Sequence, residues 1–212
     1  MTIPRKGEQT RAAILDTAVK LASRDGLDSL TIGTLAEATD MSKSGLFAHF
    51  GSREELQLAV LAHGEALFAE KVLRPALQRP RGIPRLKALF SHWLDWTDSA
   101  ELPGGCVMLG AAAEFDDRPG PVRDALVRGQ RAWIDMLKKA VRLAIDEGQL
   151  RPDTDVEQFV FECFGIDLSF HHHRRLLDDP RARRKALAAH DDLIARHRAA
   201  ATPRRRLRAV AR

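Results

Sequence analysis

The spacing of apolar residues restricts this chain to helices more firmly than any other feature. Residues 9–25 place Ile14, Ala18 and Leu21 on one face at the period of an amphipathic helix, and Gly26 follows as a stop signal. Similar periods recur along most of the chain, and no clear run alternates as a half-buried strand would. The sequence therefore predicts an all-α fold.

Three hydroxyl-bearing residues mark where helices begin near the N-terminus. Thr31, Ser42 and Ser52 each precede a helical segment, and each side chain can accept a hydrogen bond from a free backbone N–H of the first turn. Asp40 lies between the first two of these helices, where the connection needs a residue that tolerates left-handed backbone. Two short helices joined by three or four residues form a helix-turn-helix.

Prolines and a glycine interrupt the helical pattern between residues 75 and 84, which predicts a domain boundary there. The N-terminal part is then a three-helix domain followed by a linking helix, and the larger part is a second helical domain. The end of the chain is rich in arginine, and we expect it to be disordered. The expected units are the helix-turn-helix domain 1–52 with its linking helix 52–74, the helical domain 75–202, and the basic tail 203–212.

The distribution of charge is more informative than its total, a net charge of +5. Residues 174–212 contain 13 lysines and arginines against 4 aspartates and glutamates, whereas residues 1–60 contain 7 against 8. A helix-turn-helix in the nearly neutral N-terminal part must therefore bind nucleic acid through the positions of its cations, since their number gives no excess.

Membrane and secreted classes are not favoured by the sequence. No run approaches the length of apolar residues that a membrane span requires, and the N-terminal residues lack the apolar region of a secretory signal. Cys106 and Cys163 lie in apolar surroundings without the spacing of a metal or redox motif. We expect a cytoplasmic protein with buried thiols, no membrane contact and no cofactor.

The second helix of the motif has the composition of a helix that reads DNA. Small and polar residues at its start, followed by two aromatic rings, are able to enter a major groove and reach base edges. The side chains that it presents are Lys43, Ser44, Gly45, Phe47 and His49.

The run from Thr31 to Leu56, TIGTLAEATDMSKSGLFAHFGSREEL, resembles the DNA-binding signature of the TetR/AcrR family of transcriptional regulators. Three positions depart from that pattern, because Asp40 replaces the usual glycine, Phe47 a tyrosine and Arg53 a lysine. The resemblance implies binding of double-stranded DNA at a palindromic operator. It assigns groove contacts to Lys43, Ser44, Gly45 and Phe47, phosphate contacts to Thr31, His49 and Arg53, and flanking contacts to Arg5, Lys6 and Arg11.

The resemblance also implies a homodimer and a small-molecule pocket, both in the helical domain. Residues 159–170 are apolar on nearly every side, as expected of a helix covered by its own core and by a second subunit. Tryptophans and methionines favour an apolar or aromatic ligand, although each of them is also an ordinary core residue. The candidate ligand-binding residues are His92, Trp93, Trp96, Met108, Phe115, Trp133, Met136, Phe164, Asp167 and His171.

The function implied by the resemblance is that of a repressor that leaves its operator when a small ligand binds. The sequence leaves two alternatives to this function. The segment FHHHRR at residues 170–175 suggests a metal-dependent enzyme, but adjacent histidines point about 100° apart on a helix and do not converge on one ion. Only Asp167 and His171 have usable spacing, and no catalytic motif completes them. The second alternative is an adaptor that binds nucleic acid nonspecifically through residues 203–212. Removal of these residues distinguishes the two, because a regulator should keep its sequence-specific DNA binding and an adaptor should lose most of its binding.

Overall fold

The computed structural model describes residues 6–200; Arg5, the Lys6 side chain and the basic tail 203–212 lie outside the described part. Within residues 6–200 no β-strand occurs, and one isolated bridge pairs Leu150 with Arg198. The prediction of an all-α fold is confirmed. The helices are α1 Lys6–Asp25, α2 Ile32–Thr39, α3 Lys43–Phe50, α4 Arg53–Phe68, α5 Arg74–Leu77, α6 Ile83–Thr97, α7 Val107–Phe115, α8 Pro121–Asp146, α9 Val156–Arg175 and α10 Ala182–His197.

Helices α1 to α3 and the start of α4 form an N-terminal unit, which we call the head. The predicted caps set the starts of α2, α3 and α4. The hydroxyl of Thr31 accepts a hydrogen bond from the N–H of Thr34 at 3.0 Å, which begins α2. Ser42 and Ser52 make the same bond at the starts of α3 and α4, each at 3.1 Å. Because an orphan N–H is satisfied at each start, the helix boundaries follow directly from these local residues.

Asp40 closes α2 and turns the chain into α3. Its backbone is left-handed, with φ of 53° and ψ of 36°, and its N–H donates to the carbonyl of Ala36. Leu35 of α2 and Leu46 and Phe50 of α3 are buried behind this turn. The turn therefore orients α3 so that its apolar side packs into the head and its other side faces outward.

The helix after the head runs on to Leu77, and the chain breaks inside the range 75–84 where the sequence predicts a boundary. After α4 the backbone forms a π-helical turn over Ala69–Leu73 and then enters α5, with Pro75 in the first turn of α5. A proline is tolerated there because the first N–H groups of a helix have no partner within it. The break comes later, at Gly82, whose φ is 89°.

The remaining helices, α6 to α10, form the larger part of the molecule. α4 packs against α1 on one side and α8 on the other, so it joins the head to this part. α10 lies along α9, and the FHHHRR segment forms the last turn of α9 before the connection to α10. None of the helices in residues 6–200 combines the length and apolarity that a bilayer span requires.

Candidate DNA-reading surface and ligand cavity

One side of α3 is exposed and carries most of the side chains expected to reach DNA. Lys43, Ser44 and Phe47 are exposed, whereas Leu46 is fully buried. Phe47 exposes 58% of its surface. Because Lys43 and Phe47 are four residues apart, they share one face of the helix. Gly45 is half-buried beside them.

The side chains expected to contact phosphates are partly occupied by contacts within the chain. The hydroxyl of Thr31 is used as a helix cap, and His49 is half-buried at the end of α3. Arg53 donates through Nε to the carbonyl of Leu30 at 3.3 Å and through Nη2 to the carboxylate of Asp28 at 2.9 Å. Arg53 therefore stabilises the head itself, and its phosphate contact stays a prediction.

Arg11 is the one predicted flanking cation whose side chain is described. Its guanidinium lies over the ring of Phe50, 4.9 Å from the ring centre. This cation–π contact holds Arg11 beside the end of α3. The cation is thereby positioned at the border of the exposed face.

A cavity of about 250 Å³ opens in the larger part of the molecule, between α4, α6, α7, α8 and α9. Its surface is predominantly apolar and aromatic. Phe68 and Trp133 meet edge to face there, with ring centres 5.1 Å apart. The lining residues are Glu65, Phe68, Leu73, Trp93, Cys106, Met108, Leu109, Leu126, Gly129, Gln130, Ala132, Trp133, Met136 and Phe164.

Half of the residues predicted from the sequence to bind a ligand line this cavity, namely Trp93, Met108, Trp133, Met136 and Phe164. The other half lie elsewhere. Trp96 is buried behind Phe68, with ring centres 5.9 Å apart, and Phe115 is buried in the core beneath a separate surface groove. His92 is half-buried beside Asp95, with 3.8 Å between Nδ1 and the nearer carboxylate oxygen.

Asp167 and His171 do not form the pair that their spacing allows. Neither makes an ion pair or hydrogen bond in the described part of the chain, although Asp167 is 1% exposed. Burial raises the pKa of the Asp167 carboxyl well above its usual range, and burial also lowers the pKa of His171. Both groups are therefore shifted toward their neutral forms, which removes the attraction expected between opposite charges.

The arginine at the end of FHHHRR has a structural role. The guanidinium of Arg175 donates to the carbonyls of Thr97, Leu102 and Pro103 at 2.7 to 2.8 Å. These bonds hold the connection between α6 and α7 against the last turn of α9. Among residues 6–200 no group of three or more histidine, cysteine or acidic side chains is arranged to hold a metal ion.

α7 connects the cavity to the head at the end of the helix. Glu114 accepts hydrogen bonds from the N–H groups of Leu27 at 3.2 Å and Asp28 at 2.7 Å, in the connection between α1 and α2. Arg118 follows α7 and forms an ion pair with Asp28 at 2.9 Å. Because Asp28 also binds Arg53, this joint reaches the start of α4.

A second joint precedes α7. The hydroxyl of Ser23 on α1 donates to the carbonyl of Gly105 at 2.7 Å and accepts from the N–H of Gly104 at 3.0 Å. A Cβ at Gly104 would lie 1.6 Å from the backbone carbonyl oxygen of Ser23, so only glycine permits this approach. The head is therefore attached on both sides of the helix that forms one cavity wall.

Comparison with known proteins identifies this arrangement. Residues 14–60 match the family of bacterial regulatory proteins of the tetR type. Residues 82–190 match the tetracyclin repressor-like C-terminal domain, so the two matches together cover most of the chain. The chain belongs to the TetR family of transcriptional regulators. Proteins of this family regulate transcription and are not enzymes.

Relatives of this TetR-family chain include named regulators. The repressor AcnR of Corynebacterium glutamicum is 30% identical over 160 residues, which cover 72% of this chain and 74% of AcnR. The regulator TcmR of Streptomyces glaucescens is 26% identical over 180 residues, which cover 72% of this chain and 79% of TcmR.

Solved structures of TetR-family and related regulators share its fold. A TetR-family regulator from Cytophaga hutchinsonii superposes with a TM-score of 0.80 over 93% of this chain and 98% of its own, at 19% identity. A regulator from Saccharomonospora viridis in complex with choline gives 0.78 over 90% and 98%, at 19% identity. AibR, in complex with isovaleryl coenzyme A and operator DNA, gives 0.66 over 88% and 97%, at 24% identity.

Sequence reasoning missed the polar part of the cavity in this TetR-family chain. Glu65 falls within the predicted linking helix 52–74, and Gln130 lies in the middle of α8. Both are polar positions on long helices, where a solvent-exposed face is the usual explanation. Only the packing of α4 against α8 shows that they border a cavity.

Proposed function

We propose that this chain is a homodimeric repressor that binds a palindromic operator and leaves it when a small ligand enters the cavity. The observation that carries the proposal is the double attachment of α7. Met108 and Leu109 of α7 line the cavity, while Glu114 and the glycines before the helix bind the head. A ligand that displaces α7 therefore changes the contacts that orient α3.

DNA reading is assigned to the exposed face of α3. Lys43 can donate a hydrogen bond to a guanine edge, and the Ser44 hydroxyl can bond to a donor or an acceptor on a base edge. Phe47 can contact a thymine methyl group. Gly45 in the first turn of α3 has no side chain, so the backbone there can approach the groove closely. Thr31, His49 and Arg53 are proposed to contact phosphates on either side, which sets the position of the helix on the duplex.

Dimerisation is assigned to α9 and α10. Phe161 and Leu168 of α9 are 76% and 43% exposed, and Leu187 of α10 is 37% exposed. Phe161 and Leu168 are seven residues apart and so share a face of α9. A two-fold interface that covers this face places two copies of α3 side by side, which matches an operator with two inverted half-sites.

Two structural neighbours support a ligand-responsive role. AibR is in complex with both an acyl coenzyme A and operator DNA, and the Saccharomonospora regulator is in complex with choline. For this chain we propose a ligand with an apolar or aromatic body, since aromatic rings form much of the cavity wall.

Selection of bound duplexes from a random pool tests the proposal with the full chain. We expect two inverted half-sites whose centres are about one helical turn, or 34–36 Å, apart. Lys43→Ala should relax the choice of base at one position of each half-site, by about tenfold in preference. Lys20→Ala on α1, also an exposed lysine, is the matched control and should select the same sequence as the unmodified protein.

Two results would contradict the proposal. If Lys43→Ala selects an unchanged sequence, α3 does not read the bases in the way assigned here. If the selected sequences contain a single half-site and the protein sediments as a monomer at micromolar concentration, the dimer through α9 and α10 is wrong.

A further inference from the structure

The charge of the cavity wall is negative. Glu65 of α4 is the only lysine, arginine, histidine, aspartate or glutamate among the described lining residues. The Cys106 thiol also lines the cavity, and burial raises its pKa, so it remains neutral. A carboxylate or phosphate ligand would therefore find no cationic partner on this wall and would approach one carboxylate.

The carboxylate of Glu65 lies in space that the absence of a side chain at Gly129 leaves open, and it is not paired within the described residues. Its carboxylate lies against Gly129 of α8, where a Cβ would be 2.4 Å from Oε1. No hydrogen bond or ion pair to Glu65 occurs in the described part of the chain, although its neighbour Arg128 is close enough to influence it. Partial burial raises the pKa of the Glu65 carboxyl, and the charge of Arg128 opposes that rise. The cavity therefore has an accessible carboxylate, and the nearby cation Arg128 neither pairs with it nor lines the cavity.

Aromatic rings border the same space. Phe68 lies one turn after Glu65 on α4, and Trp133 lies one turn after Gly129 on α8. Trp93 and Phe164 complete the aromatic part of the wall. The face of an aromatic ring attracts a cation electrostatically, and tryptophan does so most strongly. The combination of one carboxylate with aromatic faces suits a positive charge carried on an apolar body.

We propose that the ligand of this cavity is a small organic cation, a quaternary or protonated amine attached to an aromatic or apolar group. The ammonium is held by Glu65 and the neighbouring aromatic faces, and the apolar group lies against Leu126, Trp133 and Met136. A cavity of about 250 Å³ limits the ligand to a small molecule. This assignment rests on the proposed role of the cavity as the ligand site.

Three probes of similar shape and different charge test the assignment. Benzyltrimethylammonium carries the cation, neopentylbenzene is its neutral carbon isostere, and 3-phenylpropionate carries a carboxylate. Binding to the full chain is followed by quenching of tryptophan fluorescence and by calorimetry. We expect the ammonium to bind at least about tenfold more tightly than the neutral isostere, a preference worth about 1.4 kcal/mol, and the carboxylate to bind most weakly.

Glu65→Gln separates the charge from the shape of the cavity. We expect this variant to lose about tenfold in affinity for the ammonium and to bind the neutral isostere as before. Glu70→Gln is the matched control, because Glu70 is exposed nearby and does not line the cavity. A melting curve for each variant shows whether the fold is intact.

The outcomes distinguish this inference from the function on which it rests. Equal binding of the ammonium and its neutral isostere, or an equal loss of both in Glu65→Gln, overturns the cation assignment and leaves the ligand cavity in place. Tightest binding of the carboxylate also overturns it. Failure of all three probes to bind contradicts both the cation and the proposed ligand cavity.

Discussion

The burial of Asp167 adds a free-energy cost of folding that its neighbours along the sequence do not indicate. It lies on α9 with 1% of its surface exposed, and its Oδ1 has no hydrogen-bond partner. Burial raises the pKa of the carboxyl well above its usual range, so over a range of pH above the unfolded value the folded protein keeps a proton that the unfolded chain has released. Within that range of pH, folding includes the free-energy cost of protonating this group.

The sign of the effect gives a testable prediction for Asp167→Asn. Because the folded-state pKa is raised, the contribution of Asp167 is most favourable at acid pH and declines as pH rises above the unfolded value. The variant cannot ionise, so we expect its stability relative to the unmodified protein to increase as pH rises above about 4. Urea unfolding at several pH values measures this; a variant that is less stable at pH 8 than at pH 5, relative to the unmodified chain, would contradict it.

Asp40 shows the opposite case, in which the sequence is sufficient. Left-handed backbone costs most side chains about 1–2 kcal/mol, and aspartate is one of the few residues that tolerate it. The position in the motif therefore predicts its conformation, and φ is 53°. The same holds for the caps at Thr31, Ser42 and Ser52, whose partners are three residues away along the chain.

At the scale of elements, His190 joins α10 to α6. Its ring stacks on Phe90 with a centre-to-centre distance of 4.0 Å and an angle of 5°. Burial lowers the pKa of His190 to about 4, while the nearby charges of Asp191 and Lys87 act in opposite directions. The two helices therefore pack through a neutral imidazole.

This contact should make stability depend on pH. The unfolded histidine takes up a proton below about pH 6.5 and the folded one does so only near pH 4, so stability is greatest above pH 6.5 and is lost as pH falls between these values. We expect a loss of about 2 kcal/mol between pH 7 and pH 5 from this residue.

Urea unfolding of His190→Leu at pH 7 and pH 5 measures the contribution by difference. The leucine variant should lack this part of the pH dependence. His172→Gln, at an exposed histidine on α9, is the control and should keep the behaviour of the unmodified protein. If His190→Leu loses as much stability on acidification as the unmodified protein does, the neutral imidazole is not the cause.

At the scale of the whole molecule, the head and the cavity are connected through short polar joints. Glu114 binds the backbone of Leu27 and Asp28, and the Arg118 guanidinium beside Asp28 lowers the pKa of that carboxyl. Each joint rests on a few hydrogen bonds or ion pairs. A small movement of α7 is therefore able to break or re-form these bonds at low cost.

Replacement of Glu114 by glutamine tests whether this joint transmits ligand binding. Glutamine keeps the shape but loses the charge that strengthens both hydrogen bonds. We expect faster amide hydrogen exchange at Leu27 and Asp28, and a smaller reduction of operator affinity by benzyltrimethylammonium. Coupling between two sites is commonly worth about 1–3 kcal/mol, so the change should be measurable.

Asp117→Asn supplies the control for that experiment, since Asp117 is exposed just after α7 and makes no hydrogen bond or ion pair with the head among residues 6–200. It should retain both the exchange rates and the ligand effect. An unchanged ligand effect in Glu114→Gln, with faster exchange at the two amides, would show that the joint is structural and that the signal takes another route.

The sequence by itself determined the features that depend on neighbours along the chain. Helical periods, caps, the left-handed turn and the exposed face of α3 all involve residues within about one or two turns of each other. The match to the TetR family follows from the same segment. This is why fold class and family could be predicted from residues 31–56 and from the periodicity.

Only the tertiary structure decided which side chains share the cavity. Trp93 and Trp96 are three residues apart on α6, yet the first lines the cavity and the second lies behind Phe68. The difference depends on how α4 crosses α6 and α8, which no local spacing records. The position of Glu65 against Gly129 likewise required two helices to meet, because these residues are 64 positions apart on α4 and α8 and only packing brings them together.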